Sequence, residues 1–498
     1  MMKQQIFLCI SFLMLFSGIK AQWNQIGQDI FGETKGNQFG NSISLNYEGN
    51  IIAIGSSRHQ ENKGQVKIYE KINDTWVQIG HDIYGDRIAD ELGKSISLNA
   101  EGNIIAIGSP AAATFGSGNG KVKIFKNTNG EWMQIGDDIR GISKDQFGSS
   151  VSLSADGKTV AIGSVYNNST TFRSAGDVKV YEYLDQNWVQ IGEDIDTDYG
   201  NLDSQLPTQG PSVSLSANGK ILAIGASSAV ISGIFKNGKV KIYENINNSW
   251  TQIGEDLIGE GQNGFGASVD LNDDGSILAI GEPYHSTDDY LSAGQIKIFK
   301  NTNNTWNQIG DDIQGKSYKN SIGMTVSLNS NGNIIAVGTR KGDRDFAGQV
   351  RVYRYENDQW NQTGEDFNGE NLRDLLGSSI SLNGTGNILA IGIPKWVVSG
   401  EFSSIKIFQH NDITLDVSEF LIEKSVISPN PTTGILNISL ENLDLINIDL
   451  YSLDGKLLAK YIPNTSNNKV DISDISEGIY LLKLNTNKGS FFKRILKN

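Results

Sequence analysis

The residues able to do chemistry are few in kind and dispersed along the chain. The four histidines are His59, His81, His285 and His410, and no two of them stand at metal-ligand spacing. No Ser-His-Asp signature or phosphate-binding loop is present. The single cysteine, Cys9, lies in an apolar N-terminal run, so neither a thiolate site nor a disulfide is expected. One carboxylate recurs, as Asp29, Asp82, Asp138, Asp194, Asp256, Asp312 and Asp366. Seven such groups would make a cation ring. A residue carried by every unit fits a scaffold better, each Asp accepting backbone N–H bonds at a turn. The non-recurring residues are the better candidates for a ligand: Tyr166, Phe172, Arg173, Tyr199, Tyr284, His285, Asp288, Asp289, Tyr290, Arg344 and Trp396. Aromatic rings beside acids and arginine suit stacking on sugars or gripping a peptide. No catalytic residue, metal ligand or cofactor is expected among them.

These residues are positioned by a repeat. Trp-x-Gln-Ile-Gly begins at Trp23, Trp76, Trp132, Trp188, Trp250, Trp306 and Trp360, with Thr363 in place of Ile in the last copy. The spacings are 53, 56, 56, 62, 56 and 54 residues. A long regular period of this kind decides the architecture before any local feature does. Each period holds four apolar segments, as in Ile43–Leu45, Ile51–Gly55, Val66–Tyr69 and the Trp segment itself. Turns such as Glu48-Gly49 and Asp156-Gly157 join the first two segments as tight hairpins. The second segment is apolar at every position, as in a strand covered on both faces, and the third shows Lys at alternate positions, as expected nearer a rim. Four antiparallel strands cannot bury both faces alone, so neighbouring sheets must stack. The expected fold is all-β, a seven-bladed β-propeller followed by a small C-terminal β-sandwich. The chain starts with a lone Trp segment and its last period lacks one. Trp23–Gly27 is therefore expected to complete the last blade beside Ile405–Phe408 and close the ring.

Strand direction gathers the long loops on one face. They are Ser109–Asn119, Ser164–Ala175, Asp196–Gly210, Glu282–Ala293, Thr339–Ala347 and Ile393–Ser403. Variable loops on a rigid frame are the usual layout of a binding surface. The non-recurring aromatic and charged residues named above all lie in these loops.

The repeat resembles the FG-GAP type of β-propeller unit, found in integrin α-chain heads and many bacterial surface proteins. Phe39-Gly40 and the Ala-Ile-Gly-Ser of residues 53–56, 106–109 and 161–164 carry the resemblance. The family's Asp-rich calcium loop is not present as a full motif. Asn272-Asp273-Asp274-Gly275 is its nearest approach and reads as a hairpin turn.

The two ends read as export signals. Residues 1–21 have the form of a secretory signal peptide, with Lys3, an apolar stretch from Ile6 to Phe16 and Ala21 before a cut at Gln22. That stretch is too short to span a bilayer. The propeller is assigned to residues 22–410 and a linker to 411–424. Residues 425–498 hold five short alternating segments, with Asp454-Gly455 as a hairpin signal between two of them. Pro429-Asn430-Pro431-Thr432-Thr433-Gly434, Leu450–Lys456, Ile475–Tyr480 and the basic end Lys493–Lys497 resemble the type A C-terminal sorting domain of the bacterial type IX secretion system. The resemblance implies the type IX machinery as partner, acting through residues 425–498. It also implies passage through the periplasm and a final place outside the cell or on its outer surface.

Charge narrows the partners. Residues 22–424 hold 32 basic and 49 acidic residues, a net of −17. This argues against nucleic acid and anionic membrane surfaces as partners. With 56 Gly and 8 Pro in 498 residues, short strands and tight turns fit better than a disordered tract. Three function classes remain open at this level. One is a surface or secreted binding and adhesion protein for a glycan or protein. The second is a glycan-degrading hydrolase or lyase with its site on the same loops. The third is a structural surface protein.

Overall fold

The structure, a computed structural model, describes residues 23–114, 117–142, 145–166, 176–197, 210–227, 229, 237–339, 346–395, 401–410, 425–440, 445–452, 457–461, 469–486 and 489–498. Seven antiparallel sheets follow one another along the chain. In the first blade the innermost strand is Ser42–Leu45 and the second is Ile51–Ser56. The third is Gln65–Ile72, and the outer strand runs Thr75–Gln78 and resumes at Ile83–Tyr84. Residues 95–140, 150–196, 212–258, 268–314 and 325–368 repeat the plan. The seventh blade joins Ile380–Leu382, Ile388–Ile393 and Ser404–His410 to the N-terminal strand, with Trp23 opposite His410 and Gln25 opposite Phe408. Both ends of the repeat region thus share one sheet, and the third strand of that blade is left with no bare edge.

The outer strand is broken in every blade. In the first, Ile79–Asp82 oppose only Lys67 and Ile68, because Gln78 pairs with Tyr69 while Ile83 pairs with Val66. Two extra residues swell the strand into a bulge, and the recurring Asp sits in it.

The core lies between blades. Ile52, Ala53 and Ile54 are fully buried. Ile52 and Ile54 pack with Ala390, Ile405 and Ile407 of the preceding blade. Burying each such side chain contributes about 1.5–3 kcal/mol. The outer belt explains the Trp motif. Trp76, Trp132, Trp188, Trp250, Trp306 and Trp360 each lie on the motif Gly of the preceding blade: a Cβ on Gly80 would stand 2.6 Å from Trp132 Cδ1. In five blades the indole N–H donates to the motif Ile carbonyl of that same preceding blade, as from Trp132 to Ile79 at 3.2 Å and Trp188 to Ile135 at 3.0 Å. The indole nitrogens of Trp23 and Trp306 are buried without a partner among the described residues.

Around the axis the innermost strands present backbone N–H groups that no strand pairs. In each blade the Leu amide of that strand donates to a side-chain oxygen of the preceding blade, at 2.7–3.0 Å. The acceptors are Ser381, Ser44, Ser97, Ser152, Ser214, Asp270 and Ser327. Two residues further on, a second ring is made by backbone alone. Tyr47 donates to Ala100, Ala100 to Ala155, Ala155 to Ala217, Ala217 to Asp273, Asp273 to Ser330, Ser330 to Gly384 and Gly384 to Tyr47. In each blade these two inward N–H groups are satisfied by a neighbour, as burial demands.

Residues 412–498 form a separate compact unit. One sheet holds Ser425–Ser428, Ile435–Leu440 and Lys469–Asp471. The other holds Leu457–Tyr461, Leu445–Ser452, Gly478–Thr486 and Gly489–Lys497. Leu436, Ile448, Leu450, Leu482 and Ile495 are among its buried core. Ser425–Ser428 and Lys469–Asp471 are strands that the alternation in sequence does not announce. Asp454 and Gly455 lie outside the described residues, as do the leader and residues 411–424.

Candidate functional site

The recurring carboxylate is scaffold, but not by the bonds expected from sequence. In all seven blades the Asp in the bulge accepts from the side-chain amide of the motif Gln four residues before it, at 2.6–3.0 Å. A cation from the third strand joins in most of them, as Lys67 with Asp82, Lys297 with Asp312 and Arg351 with Asp366. The bulge turns the carboxylate toward side chains, so backbone N–H groups are not its partners. Burial alone would raise the Asp82 pKa. Hydrogen bonds from Tyr84 and Gln78 and the charge of Lys67 outweigh it and hold the group below the ordinary carboxylate value. The expected exposure of third-strand lysines holds only in part: Lys126 and Lys300 are exposed. Lys67, Lys179 and Arg351 are instead buried, and acids meet their charges.

The loop after the second strand and the segment joining one blade to the next share a face. Gly85 N–H donates to Gly64 and Leu92 N–H to Lys63 across them. Ile88, Tyr318 and Leu372 are strongly exposed at matching positions of three joining segments. Of the candidates read from sequence, Tyr284, His285, Asp288, Asp289 and Tyr290 stand together on one loop of the fifth blade. That loop is internally tied: Thr287 N–H donates to Tyr290, and Tyr290 N–H returns to the Thr287 hydroxyl at 3.1 Å. Asp288 and Asp289 form its exposed tip. Tyr166 belongs to the third blade and is half-buried, with its N–H on Asp145. Phe172, Arg173, Tyr199, Arg344 and Trp396 lie outside the described residues.

Asp289 and Tyr290 line an open groove of 480 Å³ between the fifth and sixth blades. Its other walls are Asp311–Lys316 of the fifth blade and Tyr353, Gln359 and Trp360 of the sixth. The groove thus joins two non-recurring loop residues to residues of the repeat. Of the latter, sequence reasoning set the recurring Asp312 and Trp360 aside as scaffold, and nothing local in the rest signals this use. Trp360 packs on Tyr355 at 5.0–5.1 Å centroid separation, the same pairing as Trp188 on Tyr183. Lys316 donates to Gln362 at 3.3 Å.

Directly under this loop, Glu282 ends the second strand where other blades carry Ser, Ala, Thr or Ile. Its side chain is 1% exposed. Gln295, opposite it on the third strand, donates to Glu282 Oε2 at 2.5 Å. Among the described residues the nearest ionisable partner is His285, with Nδ1 4.0 Å from Oε2. Asn263 Nδ2 lies 3.2 Å from that Nδ1, which makes Nδ1 an acceptor and leaves the proton on Nε2. Burial lowers the His285 pKa and raises that of Glu282, the latter against hydrogen bonds from Gln295 and Asn263.

The axis holds a second departure from sevenfold symmetry, one that sequence reading missed. Asp270 takes the place of serine in the ring of acceptors, receiving Leu328 N–H at 2.7 Å and the Ser214 hydroxyl at 3.1 Å. Burial pushes its carboxyl up to about 7. Nearby, Tyr47 leans over Gly384, where an added Cβ would stand 2.3 Å from its ring. Tyr47, Asp273, Ser330 and Gly384 help line a 160 Å³ cavity at the axis to which all seven blades contribute. The signal was available: Ser-Val-Asp-Leu at 268–271 breaks the Ser-x-Ser-Leu pattern. Asn272–Gly275 is a hairpin turn, with Asn272 Oδ1 accepting Ile277 N–H at 2.8 Å. Among the described residues no three His, Cys, Asp or Glu side chains are grouped to hold a metal ion, and no helix is long and apolar enough to cross a membrane.

Residues 426–498 match the family described as secretion system C-terminal sorting domain. The tail is a sorting domain. It directs the protein through the type IX machinery and across the outer membrane, to the surface or the exterior. A search of curated proteins finds no match to this chain. Among solved structures, hydrazine synthase of Kuenenia stuttgartiensis aligns at 12% identity over 76% of this chain and 98% of its own, with a TM-score of 0.48. A putative 6-phosphogluconolactonase from Bacteroides uniformis ATCC 8492 aligns at 10% identity over 85% and 97%, with a TM-score of 0.47. The periplasmic gluconolactonase PpgL of Pseudomonas aeruginosa aligns at 15% identity over 65% and 84%, with a TM-score of 0.42.

Proposed function

We propose that the exported propeller is a surface or secreted binding protein that holds a glycan in the groove between its fifth and sixth blades. The carrying observation is the groove itself, where exposed Asp289 and Tyr290 face a wall that includes Lys316, Gln359 and Trp360. Aromatic faces with carboxylate and amide groups around them suit a hydroxyl-rich chain, which offers flat C–H faces to stack and many hydroxyls to bond. The acidic body supports a neutral or basic ligand over a polyanion. An N-terminal leader cut at Gln22 and kinship with FG-GAP surface proteins belong to the same reading. The test is a glycan-array screen of the exported protein, followed by titration of the best ligand. Tyr290→Ala and Asp289→Asn should each weaken binding roughly tenfold or more, as loss of a stacked ring or a charged hydrogen bond does. Undiminished binding in both variants, or turnover of the glycan, overturns the reading.

A further inference from the structure

Glu282 and Gln295 face each other across two paired strands, both almost wholly buried. One hydrogen bond joins them, from the amide nitrogen of Gln295 to Glu282 Oε2. Asn263 also donates to the Glu282 carboxyl, yet Oε1 of each side chain is left with no donor among the described residues. A buried carboxylate left in this way is strongly disfavoured. The charged groups around it do not compensate. Lys297 is held by Asp312 at 2.8 Å, and the near nitrogen of His285 accepts from Asn263. A proton on Glu282 Oε1 removes the difficulty, because it supplies a donor, and Oε1 of Gln295, the residue paired with it across the strands, is the other oxygen left without one. Two antiparallel hydrogen bonds then join acid and amide. The upward direction of the Glu282 pKa agrees with this geometry.

The pair sits at the root of the groove's loop. His285 N–H donates to the Glu282 carbonyl, Gly294 N–H to the His285 carbonyl, and Tyr284 N–H to Asn263. We propose that Glu282 and Gln295 form a head-to-tail acid–amide latch that fixes the loop from Tyr284 to Ser292, and that loss of the latch proton loosens the loop and the groove wall it carries. The latch stands on its own geometry; its effect on ligand rests on the groove being the ligand seat.

The test is hydrogen exchange of the exported protein, wild type against Glu282→Gln, between about pH 5 and pH 9. Glutamine can keep both hydrogen bonds without a titrating proton. In the wild type, amides 284–294 should lose protection with rising pH, beyond the change in the matching first-blade segment 57–64. In Glu282→Gln they should stay protected throughout. Equal pH profiles in the two proteins overturn the latch. So does a loop loosened at every pH by Glu282→Gln, or a loop whose protection in the wild type depends on added calcium or zinc and is lost with chelator. Glycan titration over the same range separates the two claims. Affinity that falls with pH in the wild type alone supports both. A working latch with no glycan bound at any pH leaves the latch and removes the ligand reading.

Discussion

Asp270 occupies a position that serine holds in the other six blades, and its carboxyl is pushed from 3.8 up to about 7 by burial. The sign of the consequence follows from linkage. Below about pH 4 the group is protonated in both folded and unfolded chains and costs nothing. Between about pH 4 and pH 7 the unfolded chain ionises while the folded one stays protonated, so stability falls as pH rises; above that range the loss is complete. Thermal unfolding of wild type and Asp270→Ser should therefore coincide best near the acid end. They should separate toward neutral pH by on the order of 3–4 kcal/mol in favour of the variant. Parallel Tm curves for the two proteins would show that the axial carboxyl does not titrate with folding. His59 works in the other direction. Both of its ring nitrogens are buried without partners among the described residues, and burial lowers its pKa. It contributes stability above about pH 6.5, and the contribution is lost as pH falls. His59→Phe should flatten the acid side of the stability profile while leaving the alkaline side in place, as read by chemical denaturation.

At the scale of the strand and its neighbours, the Trp motif works as a contact between blades. Gly80 meets Trp132 and also has φ of +72°, so two penalties apply to any side chain there. Gly130 separates them: its φ is +89° with nothing within 4 Å of an added Cβ. Gly130→Ala should cost about 1–2 kcal/mol, the backbone term alone. Gly80→Ala should cost clearly more, because Trp132 must also move off its seat and its hydrogen bond to Ile79. Equal denaturation midpoints for the two variants would mean that the Trp seat is soft. Much of this element was legible beforehand. The period placed the strands, and the apolar run Ile51–Gly55 marked the strand covered on both sides. The bulge was not legible, because Gln78 and Asp82 announce only a turn, and their mutual bond depends on two residues swelling out of register. Nor was the burial of Lys67, since alternation of Lys with Val and Ile looks the same whether the second face meets water or another blade. The groove needed three dimensions for the same reason: Tyr290 and Trp360 are 70 positions apart and belong to different blades.

For the whole molecule, closure and export are separable. Removing residues 23–31 takes the outer strand from the seventh blade and bares the edge of Ser404–His410. The product should aggregate or pair with a second copy, which size-exclusion chromatography reads directly. Removing residues 425–498 leaves every propeller strand in place, so that variant should fold normally and accumulate in the periplasm; display on the surface would contradict the sorting role of the tail.

The arrangement of the seventh blade also bears on force. Ser404–His410 is the last strand of the ring, and it is gripped on one side by Ile388–Ile393 and on the other by Trp23–Gln25. Tension that enters the ring at His410, as when a surface protein is tugged by what it holds, does not reach a strand that can be peeled from an edge. It reaches one clamped on both flanks, whose hydrogen bonds must be sheared together. The same pairing that brings the two ends of the ring into one sheet therefore places the mechanical clasp of the ring where the chain leaves it.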